Sequence, residues 1–428
     1  MKRNEASVLA AEPGALRDGL LPTPLNVTVI QDGARLRYAL PLALKAAGIL
    51  GTVHTDWFIR SGSAEALMAD AMAKISKGAG RRLAGRRCAD LAGSRVVATG
   101  WPALISRLLE SRAVLPEEIF VQRSRAICRQ VLDDGWRGAN VLAGFVRNID
   151  PLLCEVARHR NITVISDQMI APIDVQIREE ARQAERWPGW ETAVAAPGAA
   201  IMRQIEQRTW QASDHITCAS SYVRDGLLQQ GIEPDRISVI PYPVDANAFA
   251  FQDRRERSGP VRIGFVGHVS LRKGSPAFLQ IARAFDPQIV RFILVGPVAL
   301  DAGRVDRHRG QAHLTGSVPA SAVRYWLESF DIFLFPSACE GSAGAVMEAM
   351  ATGLPIVTTP NSGTPVRHGV EGFVHGCEDI DGMKDSIERL IRDPALRLQM
   401  GEAARRRVET MTIPRYGAAW HQMLQRIR

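Results

Sequence analysis

The sequence predicts an α/β protein made of two tandem domains, each built on a parallel sheet. The chain has 428 residues, which is too long for a single hydrophobic core. Short apolar runs rich in Val and Ile alternate with segments of helical periodicity, and this alternation is typical of parallel sheets with crossover helices. A polar, charged stretch at 252–260 interrupts the alternation, and a new strand pattern follows it.

The first domain is predicted at 25–245, after a loose tail at 1–24. The tail has basic residues, but acidic residues and a proline interrupt any apolar run, so it does not resemble a signal peptide. The first strand, LNVTVIQ, is followed by a turn and then by a helical segment, RLRYALPLALKAAGIL. The other strands of this domain are predicted at 51–58, 95–100, 140–146, 162–168, 215–220 and 237–242.

The second domain is predicted at 246–410, with the linker between the domains near 244–260. Its strands are predicted at 261–267, 291–296, 312–316, 331–337 and 354–359, with helices between them. The last segment, 411–428, has a helical apolar pattern after Pro414. We expect this helix to pack back across the domain boundary.

Composition excludes several classes of protein. No apolar run reaches the ~18 residues that a membrane span needs. The six cysteines are scattered and form no C-x-x-C pair, and the nine histidines show no metal-ligand spacing. The sequence therefore predicts a cytoplasmic protein with reduced thiols and no protein-bound metal.

The net charge of +8 is concentrated at 74–95, KISKGAGRRLAGRRCADLAGSR. This segment has no interleaved aromatic residues and no nucleic-acid-binding motif, so we expect no nucleic-acid partner. A polyanionic small molecule, an anionic membrane surface and a merely solvated face remain as alternatives. The second of these alternatives predicts a peripheral membrane contact through 74–95.

The loop GFVGHVSLRKGS follows the first strand of the second domain. Gly267 ends the strand, His268 follows it, and Arg272 and Lys273 come a few residues later. Two adjacent cations at the carboxyl end of a parallel strand suit a diphosphate, because ligands of open α/β sheets bind at that edge. The alternative is a turn with two solvated cations.

The segment SACEGSAGAVMEAMATG places a carboxylate on each side of a turn that opens into a helix. Glu340 follows the predicted strand at 331–337, and Glu348 lies two helical turns into the next element. Between them stand the small residues Gly341, Ser342, Ala343 and Gly344. Backbone amides at a helix start bind anions, and carboxylates accept hydrogen bonds from sugar hydroxyls. Two glutamates eight positions apart also occur by chance.

The end of the first strand provides candidates on the other domain. Asp32, Gly33 and Arg35 follow LNVTVIQ and are expected to face the cleft. They are either contacts for a ligand bound between the domains or ordinary turn residues.

The segments FVG, LRKG and PSACEGSAGAVMEAMATGLPIVTTPNSG together resemble the retaining glycosyltransferases of family 4, which have the GT-B fold. The resemblance covers about residues 210–410. It includes the family's E-x7-E signature, at Glu340 and Glu348, and the segment ATGLPIV. It implies two Rossmann-like α/β domains facing across a cleft, with a C-terminal helix packing back on the N-terminal domain.

The resemblance also implies a role for each residue of the second domain. Arg272 and Lys273 would hold the donor diphosphate, and Glu340 would contact the transferred sugar. Glu348 would bind the ribose, and Gly316 and Val318 would lie near the nucleobase.

The implied reaction moves a hexose, with retention and without a metal or other cofactor, from a UDP- or GDP-linked donor. The acceptor would be a glycan or a lipid-linked molecule in cell-surface polysaccharide or glycolipid synthesis.

Several positions depart from the family pattern. His268 stands where an arginine is usual, IPYPVD replaces IPNGVD, and Ser342 replaces a frequent phenylalanine. In the first domain, Asp167 and Gln168 stand where many relatives have a histidine, and they are the candidates on the acceptor side.

These departures leave two alternatives open. One is a sugar-nucleotide epimerase, which would need an acid–base set such as Asp167 with His54 or Asp56. The other is a non-catalytic subunit that binds a nucleotide-sugar.

Overall fold

The structure is a computed structural model, and it describes residues 24–60, 62–63, 66–67, 70–71, 86–100, 116–191, 198–254 and 258–428. The predicted tail at 1–24 lies outside these residues except for its last position. Most of the basic segment at 74–95 also lies outside them. Among the described residues, no helix is both long enough and apolar enough to span a bilayer.

The N-terminal domain has a seven-stranded parallel sheet. Its strands are β1 Val27–Gln31, β2 Leu50–Thr55, β3 Arg95–Ala98, β4 Val141–Phe145, β5 Thr163–Gln168, β6 His215–Cys218 and β7 Ile237–Val239. Their spatial order is β3-β2-β1-β4-β5-β6-β7, and each neighbouring pair is parallel. The described helices are α1 Ala39–Ala46, α2 Pro116–Asp133, α3 Pro151–His159, α4 Ile173–Arg186, α5 Ala199–Ala212 and α6 Ser221–Gln229.

Burial explains why the central strands read as continuous apolar runs. All residues of β1 and β4 are buried, as expected when helices cover both faces of a parallel sheet. Local capping fixes the helix starts: the Asp150 carboxylate accepts a hydrogen bond from the amide of Leu152, and Ser220 caps α6 through the amide of Val223. Because the strands are parallel, the carboxyl ends of β1, β2, β4 and β5 meet at one edge of the sheet.

The C-terminal domain has a six-stranded parallel sheet in the order β10-β9-β8-β11-β12-β13. The strands are β8 Val261–Val266, β9 Val290–Val295, β10 Ala312–Leu314, β11 Ile332–Phe335, β12 Ile356–Thr358 and β13 Gly372–Val374. The helices are α7 Ser275–Ala282, α8 Ala302–Asp306, α9 Ala320–Ser329, α10 Gly344–Ala351, α11 Ile380–Arg392, α12 Pro394–Glu409 and α13 Ile413–Ile427.

The C-terminal helix returns to the N-terminal domain, as predicted. Helix α13 packs against α1, and Gly417 allows a close approach because a Cβ there would overlap the carbonyl oxygen of Ala43. The linker and the start of α13 run side by side, with the Val244 amide donating to the Met411 carbonyl at 2.9 Å. Near this contact, the rings of Tyr242 and Tyr416 pack edge to face.

Candidate active site

The loop after β8 is packed tightly against the end of β11. Gly274 has φ +69°, and a Cβ there would overlap the carbonyl oxygen of Pro336. Gly267, at the strand end, is covered in the same way by Gly296, where a Cβ would overlap the Gly267 carbonyl oxygen. These close approaches fix the loop, so Arg272 and Lys273 project from a rigid support. His268 is exposed on the same loop.

Arg272 and Lys273 converge on one carboxylate. Oε1 of Glu340 lies 2.6 Å from Nη1 of Arg272 and 2.5 Å from Nζ of Lys273. Lys273 and Glu340 side chains are only 15% and 12% exposed, and Lys273 also lies over the ring of Phe335. Burial lowers the pKa of Lys273, and the charge of Glu340 opposes that shift. The two cations share the Glu340 carboxylate, and an incoming anion could compete with it for both of them.

The small residues after Glu340 have different surroundings. A Cβ at Gly341 would overlap the carbonyl oxygen of Met169, and the Ser220 hydroxyl donates to the Gly341 carbonyl at 2.6 Å. The close contact with the N-terminal domain thus explains why a residue without a side chain is needed at 341. The expected role of Gly341 in donor binding stays a prediction. Ser342 is half-buried and Ala343 is buried, whereas Gly344 is exposed, with open space where its Cβ would be.

Glu348 lies on α10 and lines a cavity of about 810 Å³ between the domains. Gly344 and Met347 line the same cavity, and Arg37 lines it from the N-terminal domain. Burial raises the pKa of Glu348, and the charge of Arg37 lowers it. A partly desolvated carboxylate in an open cavity can accept hydrogen bonds from vicinal hydroxyls.

Gly316 and Val318 follow β10. The Gly316 carbonyl accepts a hydrogen bond from the Gly296 amide at 3.2 Å, and Gly296 in turn covers Gly267. The structure therefore brings these two residues to the same sheet edge as the Arg272–Lys273 loop. Val318 is half-buried and packs against the core of the domain.

The N-terminal candidates Asp32, Gly33 and Arg35 lie in a charged turn. Asp32 is 7% exposed and pairs with Arg123 at 3.1 Å; burial, and then the charge of Asp56, raise its pKa. The Gly33 amide donates to the Asp56 carboxylate at 3.0 Å. The Arg35 guanidinium lies near the rings of Phe120 and Phe145.

The next three residues, Leu36, Arg37 and Tyr38, are all left-handed, with φ of 48°, 52° and 62°. This conformation costs roughly 1–2 kcal/mol for each non-glycine residue. The sequence pattern did not predict this turn.

Asp167 and Gln168 are placed differently from the expectation. They are 1% and 0% exposed. Asp167 accepts hydrogen bonds from Thr217 at 2.8 Å and from Tyr242 at 2.6 Å, and burial raises its pKa to about 6. Gln168 accepts from Trp210 at 2.9 Å. Neither side chain faces an open space, so a direct contact with an acceptor would require this packing to open.

The acid–base set considered for an epimerase is not assembled. His54 lies on β2 and Asp167 on β5, with β1 and β4 between them, and three strand spacings amount to ~14 Å. Burial lowers the pKa of His54 to about 4. Asp56 is committed to a buried ion pair with Arg86. The expectation that these residues act together is therefore wrong.

Interdomain contacts come from residues that no sequence motif marked. The Leu271 amide donates to Glu191 at 2.8 Å, and the Asp301 amide donates to the Trp190 carbonyl at 2.7 Å. Glu180, on α4, lies 3.8 Å from Arg272. The N-terminal domain thus reaches the loop after β8 through α4 and the segment that follows it, and no local pattern in the sequence indicates this.

Each of the six cysteines is a free thiol. Within the described ranges, no group of three or more His, Cys, Asp or Glu side chains is arranged to hold a metal ion.

Comparison with known proteins finds family matches in the C-terminal domain and in the last part of the N-terminal domain. Residues 260–393 match the model for glycosyl transferases group 1, and 185–248 match that for glycosyltransferase family 4. The amylovoran biosynthesis glycosyltransferase AmsK of Erwinia amylovora is 28% identical over 199 residues, covering 43% of this chain and 49% of that protein. A glycogen synthase of Mycobacterium tuberculosis is 26% identical over 241 residues, covering 53% and 57%. The chain spans about half the length of the curated relatives it matches.

Solved structures resemble the whole chain. Sucrose-phosphate synthase from Thermosynechococcus elongatus superposes with a TM-score of 0.65 at 14% identity, covering 94% of this chain and 99% of that one. Anabaena HepE in complex with UDP-glucose superposes with a TM-score of 0.60 at 13% identity, covering 94% and 99%. The chain has the GT-B fold, and the resemblance to family 4 glycosyltransferases is confirmed.

Proposed function

Starting from a GT-B fold with group 1 and family 4 segments, we propose that the chain is a retaining, metal-independent glycosyltransferase. It moves a hexose from a UDP- or GDP-linked donor to a glycan or lipid-linked acceptor in cell-surface polysaccharide or glycolipid synthesis. The observation that carries the proposal is the convergence of Arg272 and Lys273 on Glu340 at the carboxyl end of β8. The relative named for amylovoran biosynthesis and the structures of HepE in complex with UDP and with UDP-glucose support it.

The chemistry follows from charge. Breaking the bond between the anomeric carbon and the phosphate oxygen leaves negative charge on the departing diphosphate. Arg272 and Lys273 neutralise that charge, and a preorganised cation in a partly buried site is worth far more than one in water. The diphosphate competes with Glu340 for both cations, which frees Glu340 to accept a hydrogen bond from a sugar hydroxyl. The acceptor oxygen attacks the same face, and its proton passes to the departing phosphate oxygen.

The donor site is tested with a panel of sugar nucleotides. A correct donor raises the melting temperature, because it binds the folded state alone. Incubation with the acceptor then yields a product whose anomeric configuration, read by NMR, equals that of the donor. Activity is expected to be unchanged by EDTA. Inverted product or loss of activity with EDTA would contradict the corresponding part of the proposal.

A second candidate is a non-catalytic subunit that binds a nucleotide-sugar. It is favoured by the exposed His268 at the position where the family usually has an arginine, because one cation is then missing from the loop. Donors that raise the melting temperature without any transfer or hydrolysis would support this candidate. Transfer by the isolated chain would exclude it.

The peripheral membrane contact through 74–95 also stays a proposal, as does a cytoplasmic location. Three of its arginines are described, and all three have partners: Arg86 pairs with the buried Asp56, Arg87 lies 2.8 Å from Asp70, and Arg95 pairs with Asp134. Any membrane-binding charge must therefore come mainly from other residues of the segment, such as Arg81 and Arg82. If the wild type binds anionic vesicles at low salt and a variant with Arg81 and Arg82 replaced by Gln does not, the contact is supported. Equal binding by the wild type and the variant would contradict it.

A further inference from the structure

We propose that the N-terminal domain holds an oxyanion-binding site built on Arg35, Arg123 and Arg147, which receives a phosphate or carboxylate group of an anionic acceptor. The proposal rests on the glycosyltransferase activity proposed above and specifies the chemical class of its acceptor. The site lies at the carboxyl edge of the N-terminal sheet, and it is separate from Arg272 and Lys273.

Arg35 is the central observation. Its guanidinium carbon lies 5.9 Å from the centre of the Phe120 ring and 5.8 Å from that of Phe145. Among the described residues, none places a carboxylate oxygen within 4.0 Å of this guanidinium, and its buried Nε has no hydrogen-bond partner there. Two aromatic faces hold the planar group in one orientation. A partly buried guanidinium is costly to desolvate unless an anion compensates its charge.

The neighbouring charges increase the attraction for an anion. Arg123 pairs with Asp32 at 3.1 Å, and Arg147 pairs with Glu206 at 2.7 Å. These two carboxylates balance two of the three guanidinium groups, and the nearby Asp56 is matched by Arg86. Burial lowers the pKa of Arg35; Asp32 opposes this shift, and Arg123 and Arg147 add to it. Arg35 is therefore the member of this cluster that has no carboxylate of the described residues within 4.0 Å, and a bound oxyanion would compensate its charge.

The cluster is correctly placed for an acceptor. Arg35 follows β1, and Phe145 and Arg147 stand at the end of β4. The next strand, β5, leads directly into Met169, which touches the loop before α10 at Gly341. Two strand spacings amount to ~10 Å. An acceptor sugar whose hydroxyl meets the donor would therefore bring an adjacent phosphate or carboxylate to the cluster.

The geometry of guanidinium explains the ligand class. Its N–H groups form a fork that pairs with phosphate or carboxylate oxygens through two parallel hydrogen bonds. A phosphate would come from a lipid-linked or phosphorylated acceptor, and a carboxylate from a uronate. Neutral sugars offer no oxyanion for this fork.

The test titrates three sugar probes, methyl glucoside, methyl glucuronide and glucose 6-phosphate, into the full chain by calorimetry with UDP saturating the donor site. At least one anionic probe is expected to bind about tenfold or more tightly than methyl glucoside. Arg35→Met should abolish this preference and Arg35→Lys should retain part of it. Arg125→Met, on the same helix as Arg123 but 59% exposed, should leave it unchanged. Tighter binding of the phosphate indicates a phosphorylated acceptor, and tighter binding of the uronate indicates an acidic sugar.

Three outcomes would overturn the site: equal binding of all three probes, no effect of Arg35→Met in a variant that melts like the wild type, or loss of anion binding in Lys273→Met instead. Failure of the glycosyltransferase proposal is recognised separately. In that case no UDP- or GDP-sugar raises the melting temperature, and the same titration is run without UDP.

Discussion

The two sides of the cleft are built in different ways. On the C-terminal side, the key charges come from two short segments, the loop after β8 and the loop before α10, and they meet at Glu340. On the N-terminal side, the charges come from four strand ends and two helices, and most are locked in buried pairs such as Asp56–Arg86 and Glu206–Arg147. The first arrangement is compact and can exchange partners with an incoming anion. The second is a prebuilt network in which Arg35 lacks a described carboxylate partner.

This difference teaches that the C-terminal side of the cleft is governed by local geometry and the N-terminal side by tertiary packing. Glycines fix the donor loops by close backbone contacts, at Gly274 inside the domain and at Gly341 between domains. Side-chain networks fix the other side, and Asp167 is joined through Tyr242 to the linker itself. Substitutions on the donor side should therefore act on activity, and those in the N-terminal network should act on stability.

The largest effect is expected for Lys273→Met. Removing a partly buried cation that faces the leaving group should lower kcat/KM by about 10²–10³-fold, as loss of one such electrostatic contact does in other enzymes. Release of nucleotide diphosphate measures the rate. The matched control is Lys384→Met, which removes a lysine from α11 and should leave the rate within about twofold. Wild-type activity of Lys273→Met would remove the basis of the proposed donor site.

Gly341→Ala tests the contact between the two sides. A Cβ at this position would overlap the Met169 carbonyl oxygen, so the loop before α10 must move away from the N-terminal domain. A displacement of ~1 Å can cost about 10²-fold in rate, and we expect a loss of about 10–10²-fold with little change in circular dichroism. Gly310→Ala, where the added Cβ meets nothing within 4 Å, is the control. If both variants behave alike, the contact does not position the loop.

Tyr242→Phe tests the N-terminal network through stability. Loss of the hydrogen bond to the buried Asp167 should lower the free energy of unfolding by about 1–2 kcal/mol near pH 7.5. Burial raises the pKa of Asp167 to about 6, above the ~3.9 of an exposed aspartate, so the folded state holds its proton more tightly. The stabilisation that comes from this tighter proton binding by Asp167 is fully present below about pH 4 and is lost as the pH rises through 6.

The hydrogen bond from Tyr242 favours the ionised form of Asp167, so Tyr242→Phe should lower the free energy of unfolding more at pH 7.5 than at pH 5. Urea unfolding at both pH values measures the difference. Tyr325→Phe, at a side chain that is 68% exposed, should change stability by less than about 0.5 kcal/mol at either pH. An equal loss at both pH values for Tyr242→Phe would mean that Asp167 does not titrate in this range.

The sequence could predict much of one side and little of the other. The sequence predicts twelve strands but not β13, Gly372–Val374, because its three residues stand among polar and charged neighbours in RHGVEGFVHGCED. Arg272, Lys273 and Glu340 were found because each follows a strand end, where parallel sheets collect their ligand-binding residues. Arg123 and Arg147 could not be found, because pairing with Asp32 and Glu206 depends on how distant helices pack. Asp167 lies at a strand end, as predicted, but the Tyr242 side chain, from the segment after β7, donates a hydrogen bond to it and buries it.

The smallest effect is expected for an exposed ion pair of the C-terminal domain. Arg392 lies 3.1 Å from Glu388 on α11 and is 79% exposed. Solvent screens such a pair, so Arg392→Gln should lower the free energy of unfolding by no more than about 0.5 kcal/mol. Urea unfolding in low salt and in 1 M NaCl measures it, and the difference should vanish in high salt because the Debye length falls to about 3 Å. A larger loss that persists in salt would show that this domain, too, depends on its ion pairs for stability, and the contrast with the buried pairs of the N-terminal side would then not hold.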